Sequence, residues 1–285
     1  MSRFAFLAQR VFNVPLMLTQ AKAEIVMAAL AERLGVTHLS RADGGTVAMF
    51  TPELDGEAEP ERPYDVTPEG AAIIPVRGTL VQRNGLHSYS GMTGYDGIRA
   101  KFLDAIGDTS VKGIVLDIDS PGGEVAGVFD LTDTIYAARG VKPIWAILNE
   151  SAYSAAYCLA SAADTITVPR TGGAGSVGVI AMCVDMSRAL DASGITVNVI
   201  THGKRKADGN QYLPLPKEAR DRFQADIDTI GVLFEETVGR NRGIPASAVR
   251  DMEASTFQGV AAVKQKLADR VAAPDAAFEA FLHTL

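Results

Sequence analysis

Basic residues are in the minority in this chain: 27 Lys and Arg stand against 34 Asp and Glu, a formal net charge of −7. Neutralising nucleic-acid phosphates calls for the opposite excess, so the balance argues against a general nucleic-acid binder. Cysteine is scarcer still, with Cys158 and Cys183 the only two. Both stand in apolar stretches without metal-ligand spacing, which reads as buried free thiols in a reducing compartment, not a disulfide or a zinc site. Long apolar runs are missing as well. The run Phe4 to Ala8 is cut off by Gln9 and Arg10, too short for a secretory segment, and no later stretch reaches the roughly 18 apolar residues of a bilayer span. A chain without leader or membrane anchor is therefore expected. Neither an HExxH helix, paired CxxC motifs nor a phosphate-cradling Gly loop ending in Lys-Ser or Lys-Thr occurs, so no metal and no other cofactor is implied.

What is present suits one sizeable α/β domain with appendages: 285 residues, 47% of them hydrophobic, are enough to bury a large core. Thr19 can cap a helix from about 20 to 34, stopped by Gly35, with Ile25, Ala28, Leu30 and Leu34 on one broad side. Residues 1–42 are expected to form an N-terminal helical segment. The stretch 43–70 turns to Gly, Pro and acid, as in Asp55-Gly56-Glu57-Ala58-Glu59-Pro60, and cannot bury enough apolar surface to order itself. It is expected to be a linker, with the catalytic domain and its C-terminal helices at 71–285.

From Ala71 onward, β-rich runs alternate with helical ones. Strands are expected at Ala72 to Val76, Gly113 to Ile118, Ile144 to Leu148, Thr165 to Val168 and Thr196 to Thr201. Helices are expected at Tyr95 to Ile106, Glu124 to Ala138, Ala155 to Ala163 and Ser187 to Ala192. Such alternation implies a largely parallel sheet with covered faces. Pro216 then opens a long helix to Arg242, with Phe223, Ile227, Ile230, Leu233, Phe234 and Val238 at helical spacing. That stripe reads as core packing, with a subunit contact as the competing interpretation.

Two residues carry the chemistry. Ser154, in Ser151-Ala152-Tyr153-Ser154-Ala155-Ala156-Tyr157, is a poor nucleophile unless a base stands near, and Lys206, in Lys204-Arg205-Lys206-Ala207-Asp208, can be that base in place of histidine. A lysine acts so near neutrality only when burial strips its amine of charge. Ser151 is the rival hydroxyl, Lys204 the rival base, and His202 a more distant one; Ser120, just before a proline, reads as structural. The run Gly113-Ile114-Val115-Leu116-Asp117-Ile118 leads into Ser120-Pro121-Gly122-Gly123, where paired glycines let backbone approach a ligand and a following helix would favour negative charge. An oxyanion hole is expected there, built from the N–H of Gly123 with that of Ala155, Gly122 serving the same turn. An ordinary glycine turn is the plain alternative. The extended backbone of 120–123 could also align a peptide by strand addition.

Four segments in order, Asp119-Ser120-Pro121-Gly122-Gly123, Ser154-Ala155-Ala156-Tyr157, Gly175-Ser176-Val177-Gly178 and Lys206-Ala207-Asp208, resemble the signal peptide peptidase A family of serine proteases. The resemblance runs from about Ile73 to Val271. Arg10-Val11-Phe12-Asn13-Val14-Pro15-Leu16 and Lys206-Ala207-Asp208-Gly209-Asn210 are similar to the branch that matures heads of tailed phages and prophages. Membrane-bound members usually have Ser-Gly-Gly-Tyr and Lys-Asp at the corresponding places, so this chain keeps the reactive residues and changes their neighbours. The resemblance implies a crotonase/Clp-protease-like superfold of repeated β/α units and an ATP-independent Ser/Lys endopeptidase in which Ser176 orients the amine of Lys206. It further implies protein substrates such as scaffold, portal or head proteins, a homo-oligomer, and action in the host cytoplasm or inside the procapsid, with neither nucleic acid nor membrane as partner. Two other classes remain: a crotonase-type acyl-CoA enzyme, for which only Glu124 stands near the expected hole, and a non-catalytic capsid-assembly protein retaining the fold.

Overall fold

The computed structural model describes residues 15–19, 63–86 and 91–285. Its centre is β5 (Gly113–Glu124), whose first half, Gly-Ile-Val-Leu, is buried on both faces as expected of an interior parallel strand. On one side β5 pairs in parallel with β3 (Ala71–Val81) and on the other with β6 (Ile144–Tyr153). β7 (Thr165–Val168) continues the sheet beyond β6, β10 (Arg270–Val271) closes that edge, and β2 (Asp65–Val66) closes the other. Four short strands join away from this path: β1 (Leu16–Leu18) on β5, β4 (Met92–Gly94) on β3, β8 (Gly173–Gly175) on β6, and β9 (Thr256–Gln258) on β8.

The strands are covered by helices on both faces, as the alternating pattern requires. One face of Ile74, Val76, Ile114, Leu116 and Ile118 packs in a single apolar cluster with residues of α1 (Tyr95–Gly107), α2 (Val128–Ala137) and α3 (Ala155–Ser161). The opposite face, with Val115, Trp145 and Ile147, forms a smaller cluster beneath α8 (Pro274–Leu282), where the Trp145 and Phe281 rings meet at a tilt of 59° with centroids 5.5 Å apart. The mixed α/β fold built on a parallel sheet is the fold class expected from the sequence. Helix α5 (Lys217–Arg242) begins after Pro216 and ends at Gly243, which takes φ 63, a left-handed stop that glycine adopts without strain. The short helices α4 (Ser187–Ala192), α6 (Ala246–Arg250) and α7 (Gly259–Lys264) complete the described residues.

Several expectations are corrected. β5 does not end at Ile118 but runs on through Pro121, Gly122 and Gly123, and helix α2 begins at Val128, after Gly127 in a left-handed conformation, not at Glu124. Residues 196–201 form no strand; they lie on the surface with Ile200 95% exposed, because no neighbouring edge offers them hydrogen bonds. Cys158 is a buried free thiol, and burial pushes its pKa up to about 12, but Cys183 is exposed on the irregular segment after β8. The helix expected at 20–34 lies outside the described residues. So does most of the stretch read as a linker, although its last residues are ordered: Tyr64 is buried, its hydroxyl donates to Asp104 at 2.6 Å, and Asp65 and Val66 pair with Ile73 and Ala72. Along α5 the stripe packs unevenly: Ala219 in the first turn and Phe234, Thr237 and Val238 near the end are buried, Phe223, Ile227 and Ile230 are half-buried, and Leu233 is 45% exposed.

Arg139 ties the end of α3 to α5. Its guanidinium donates to the carbonyls of Ser161, Ala162 and Ala163 at 2.6–2.9 Å, and to that of Asn241 at 3.2 Å. The last carbonyls of a helix have no intrahelical partner, so this fork satisfies acceptors that would otherwise be left without one. Replacing Arg139 by Ala should lower unfolding free energy by about 2–3 kcal/mol in urea titration, with Lys restoring only part of it because an ammonium cannot fork.

Candidate active site

The site begins with a length of strand from which side chains are excluded. At Gly123 an added Cβ would stand 1.8 Å from the carbonyl oxygen of Leu80 on β3, and at Gly122, where φ is 102, it would stand 2.1 Å from the carbonyl oxygen of Met17 and 2.9 Å from that of Tyr153. Only glycine allows three backbones to meet there. Ser120 holds the strand in this course: its buried hydroxyl donates to the Gly78 carbonyl at 2.7 Å and accepts the N–H of Gly122 at 3.1 Å. That contact makes Ser120 structural. The same bond engages the single N–H of Gly122, in keeping with its expected part in the turn. With α2 beginning only at Val128, no helix terminus stands directly behind Gly123 either.

Ser154 lies where β6 turns into α3. It is 1% exposed, and its backbone takes φ 54 and ψ −121, a conformation L residues rarely adopt. Such a position costs about 1–3 kcal/mol and persists only where the surroundings over-determine it. They do so here: the Ser154 N–H donates to the Gly175 carbonyl at 2.8 Å, the Cys158 N–H donates back to the Ser154 carbonyl at 2.9 Å, and α3 is buried along its whole length. Tyr157, the fourth residue of the motif, is fully buried with its hydroxyl donating to the Leu267 carbonyl at 3.0 Å, and burial raises its pKa. It anchors the helix and does not face a substrate. The Ser154 Oγ stands 3.5 Å from the Gly178 carbonyl. Ala155 is the first residue of α3, so its N–H has no intrahelical acceptor and is a suitable donor to an oxyanion.

Ser176 is brought alongside. Strands β6 and β8 run in parallel with Tyr153 opposite Gly175, and one residue further each chain leaves its strand at a serine with positive φ, 54 at Ser154 and 57 at Ser176. Ser151, the rival hydroxyl, sits within β6 opposite Gly173 and caps no helix.

Lys206 is not brought to this place. It lies in an exposed turn, its N–H donating to the Gly203 carbonyl at 3.1 Å, and the Ser154 hydroxyl has its described contact with Gly178 instead. Lys204, Arg205 and His202 are exposed on the same turn. Asp208 is held by an ion pair with Arg222 of α5, which fixes the turn to that helix. The segment between β8 and α5 carries only α4 as regular structure. Burial, the condition for a neutral lysine amine, is not supplied to Lys206 by the described residues of its own chain.

Sequence reasoning missed one element of the site. β1 (Leu16–Leu18) lies antiparallel along β5 with Met17 opposite Gly123 and Leu18 opposite Gly122. Three strand residues far from the sheet in sequence give no periodic signal; the only hint is the apolar run Pro15-Leu16-Met17-Leu18 itself.

The model of peptidase family S49 matches residues 137–282, a stretch containing Ser154, Ser176 and Lys206. The chain belongs to peptidase family S49. The head-tail preconnector protein GP5 of Enterobacteria phage P21 is 41% identical over 268 residues, covering 91% of this chain and 53% of that protein. The capsid assembly protease C of Escherichia phage lambda is 39% identical over 274 residues, covering 93% of this chain and 62% of that protein. The chain thus spans between about half and three fifths of the length of these two relatives. Among solved structures, the 1510-N membrane-bound stomatin-specific protease aligns over 70% of this chain and 74% of its own at 13% identity, with a TM-score of 0.42.

The strained backbone of Ser154 makes a prediction independent of any substrate. Ser154→Gly should unfold at higher urea than Ser154→Ala, by about 1 kcal/mol or more, because both lack the hydroxyl and only glycine relieves the positive φ.

Proposed function

We propose that the chain is a serine endopeptidase in which Ser154 attacks the substrate carbonyl and Lys206 is the general base. The observation that carries the reading is the buried Ser154 elbow set beside a side-chain-free strand at Gly122–Gly123. As the Ser154 Oγ bonds to the carbonyl carbon, its proton passes to the neutral amine of Lys206, and the carbonyl oxygen becomes an oxyanion accepting from the N–H of Gly123 and of Ala155. The lysine then returns the proton to the departing amine as the C–N bond breaks. Water, deprotonated by the same lysine, releases the acyl group and restores Ser154. Ser176 orients the amine. No ATP, metal or other cofactor enters these steps.

Lys206 reaches Ser154 from a second copy of the chain. In support, its turn is exposed and tied to α5, and Ile195, Val199 and Ile200 of the same segment, with Leu233 of α5, are exposed apolar residues. Packing this surface against a neighbour would supply both the burial and the apolar contact that the single chain lacks. The relatives' names, capsid assembly protease and head-tail preconnector protein, point to scaffold, portal or other head proteins as substrates, cleaved in the host cytoplasm or within the procapsid. The described residues include no helix long and apolar enough to cross a membrane. A crotonase-type reading finds less support, since the Glu124 carboxylate is already accepting the Gln82 N–H at 2.6 Å.

Co-expression with the head and scaffold proteins, read by intact mass, should give discrete truncations that vanish in Ser154→Ala and in Lys206→Ala, each losing at least about 10⁴-fold in rate. Mixing the two inactive variants should restore cleavage if the base comes from the neighbour. A silent mixture would place both residues in one chain, and full activity in Lys206→Ala would assign the base elsewhere, with Lys204 the first candidate.

A further inference from the structure

We infer that residues 15–19 fill the substrate groove of this site as a built-in peptide ligand, so that the resting enzyme is blocked by its own chain and a substrate strand must displace them. The inference rests on the endopeptidase reading and adds to it both a form of regulation and a side-chain preference.

The segment is held as an extended substrate would be, by main-chain bonds on both of its edges. On one side it runs antiparallel to β5, Leu16 opposite Glu124, Met17 opposite Gly123 and Leu18 opposite Gly122, and the Thr19 N–H donates to the Pro121 carbonyl at 3.1 Å. On the other side the Leu16 N–H donates to the Ile180 carbonyl at 2.8 Å, and the Ile180 N–H donates to the Leu16 carbonyl at 3.0 Å. Hydrogen-bonded pairs alternate along an antiparallel ladder. With Thr19 and Pro121 forming one such pair, Met17 and Gly123 form the next, which turns the Gly123 N–H towards the Met17 carbonyl. The proposed oxyanion donor thus already faces a carbonyl of the chain itself. The Met17 carbonyl also crowds the same point above Gly122 as the carbonyl of Tyr153, the residue just before Ser154.

The side chain of Met17 is fully buried and joins the main apolar cluster, while Leu16 is 2% exposed. The seat opposite Gly123 is therefore an apolar one that accepts a long unbranched side chain. Substrates of this enzyme present an apolar residue at that position of an extended segment, and a charged residue there is rejected because burial leaves its charge unpaired. Affinity for any such substrate is reduced by the fraction of molecules in which residues 15–19 have left the groove.

The test uses the full-length Ser154→Ala chain, so that no peptide is consumed, and a fluorescein-labelled peptide with the sequence of residues 13–20. Binding by anisotropy should be at least about tenfold tighter to Ser154→Ala carrying Met17→Glu than to Ser154→Ala alone, since the charged residue expels the native strand. The same peptide with Glu at the Met17 position should bind neither. Equal affinities, or no binding to either chain, overturn the inference. Should Met17→Glu fail to fold, amide exchange in Ser154→Ala alone decides. Saturating peptide should accelerate exchange at Leu16 and Thr19 while leaving Leu116 and Ile147 in the core unchanged. Unaltered exchange at Leu16 would make β1 a fixed strand and overturn the inference. Neither readout depends on turnover, so a native chain that binds the peptide but cleaves nothing would refute the endopeptidase reading and leave the occupied groove standing.

Discussion

The arrangement depends on one constraint, the close passage of three backbones past Gly122 and Gly123. A strand that reaches the end of a sheet normally turns into its helix, yet β5 continues for several residues with its side chains absent or turned aside. Ser120 makes this possible by serving as both donor and acceptor, to Gly78 on one strand and Gly122 on its own. Its hydroxyl does locally what a ladder of main-chain bonds would do in a regular strand, at the point where the β5–β6 register shifts between Ile118 and Ser120. An edge results that can be read by peptide backbone and can aim an N–H at a carbonyl.

Ser154 answers that edge from the next strand. Its positive φ is a local cost, and the fully buried helix behind it, fastened by Tyr157 to Leu267 and by Arg139 to Asn241, is what keeps the serine from relaxing. Stability is concentrated in the platform, in β3, β5, β6 and α3. The segment that carries Lys206 has the opposite character: few regular elements, exposed apolar residues, and a single ion pair, Asp208 with Arg222, fastening its turn. The proposed centre is thus rigid at Ser154, where geometry must be exact to a fraction of an ångström, and open at the turn that carries Lys206.

Much of the fold was legible because its strands and helices are strongly periodic and locally punctuated. Thr165–Val168 and Ser187–Ala192 fall where the sequence places them, and α5 starts and stops at Pro216 and Gly243 as a proline and a left-handed glycine dictate. What escaped reading was non-local. Pro121-Gly122-Gly123 looks like a turn in any window, and only the neighbouring carbonyls of Leu80 and Met17 make it strand. Val197 and Val199 look like part of a strand, yet a strand exists only when an edge is free to receive it. The candidate serines stand out by their motif, and each follows the paired residues Tyr153 and Gly175 of two parallel strands. The exposed placement of Lys206 was not legible, because sequence order says nothing about which face of a polar turn is left to solvent.

The most direct test of the central claim, that this platform presents Ser154 as a nucleophile, is prolonged reaction with a fluorophosphonate followed by peptide mapping. A single adduct on Ser154 is expected, absent in Ser154→Ala and formed faster when the chain is allowed to assemble. An adduct on Ser151 or Ser176 in its place, or none on a folded and assembled chain, would contradict it.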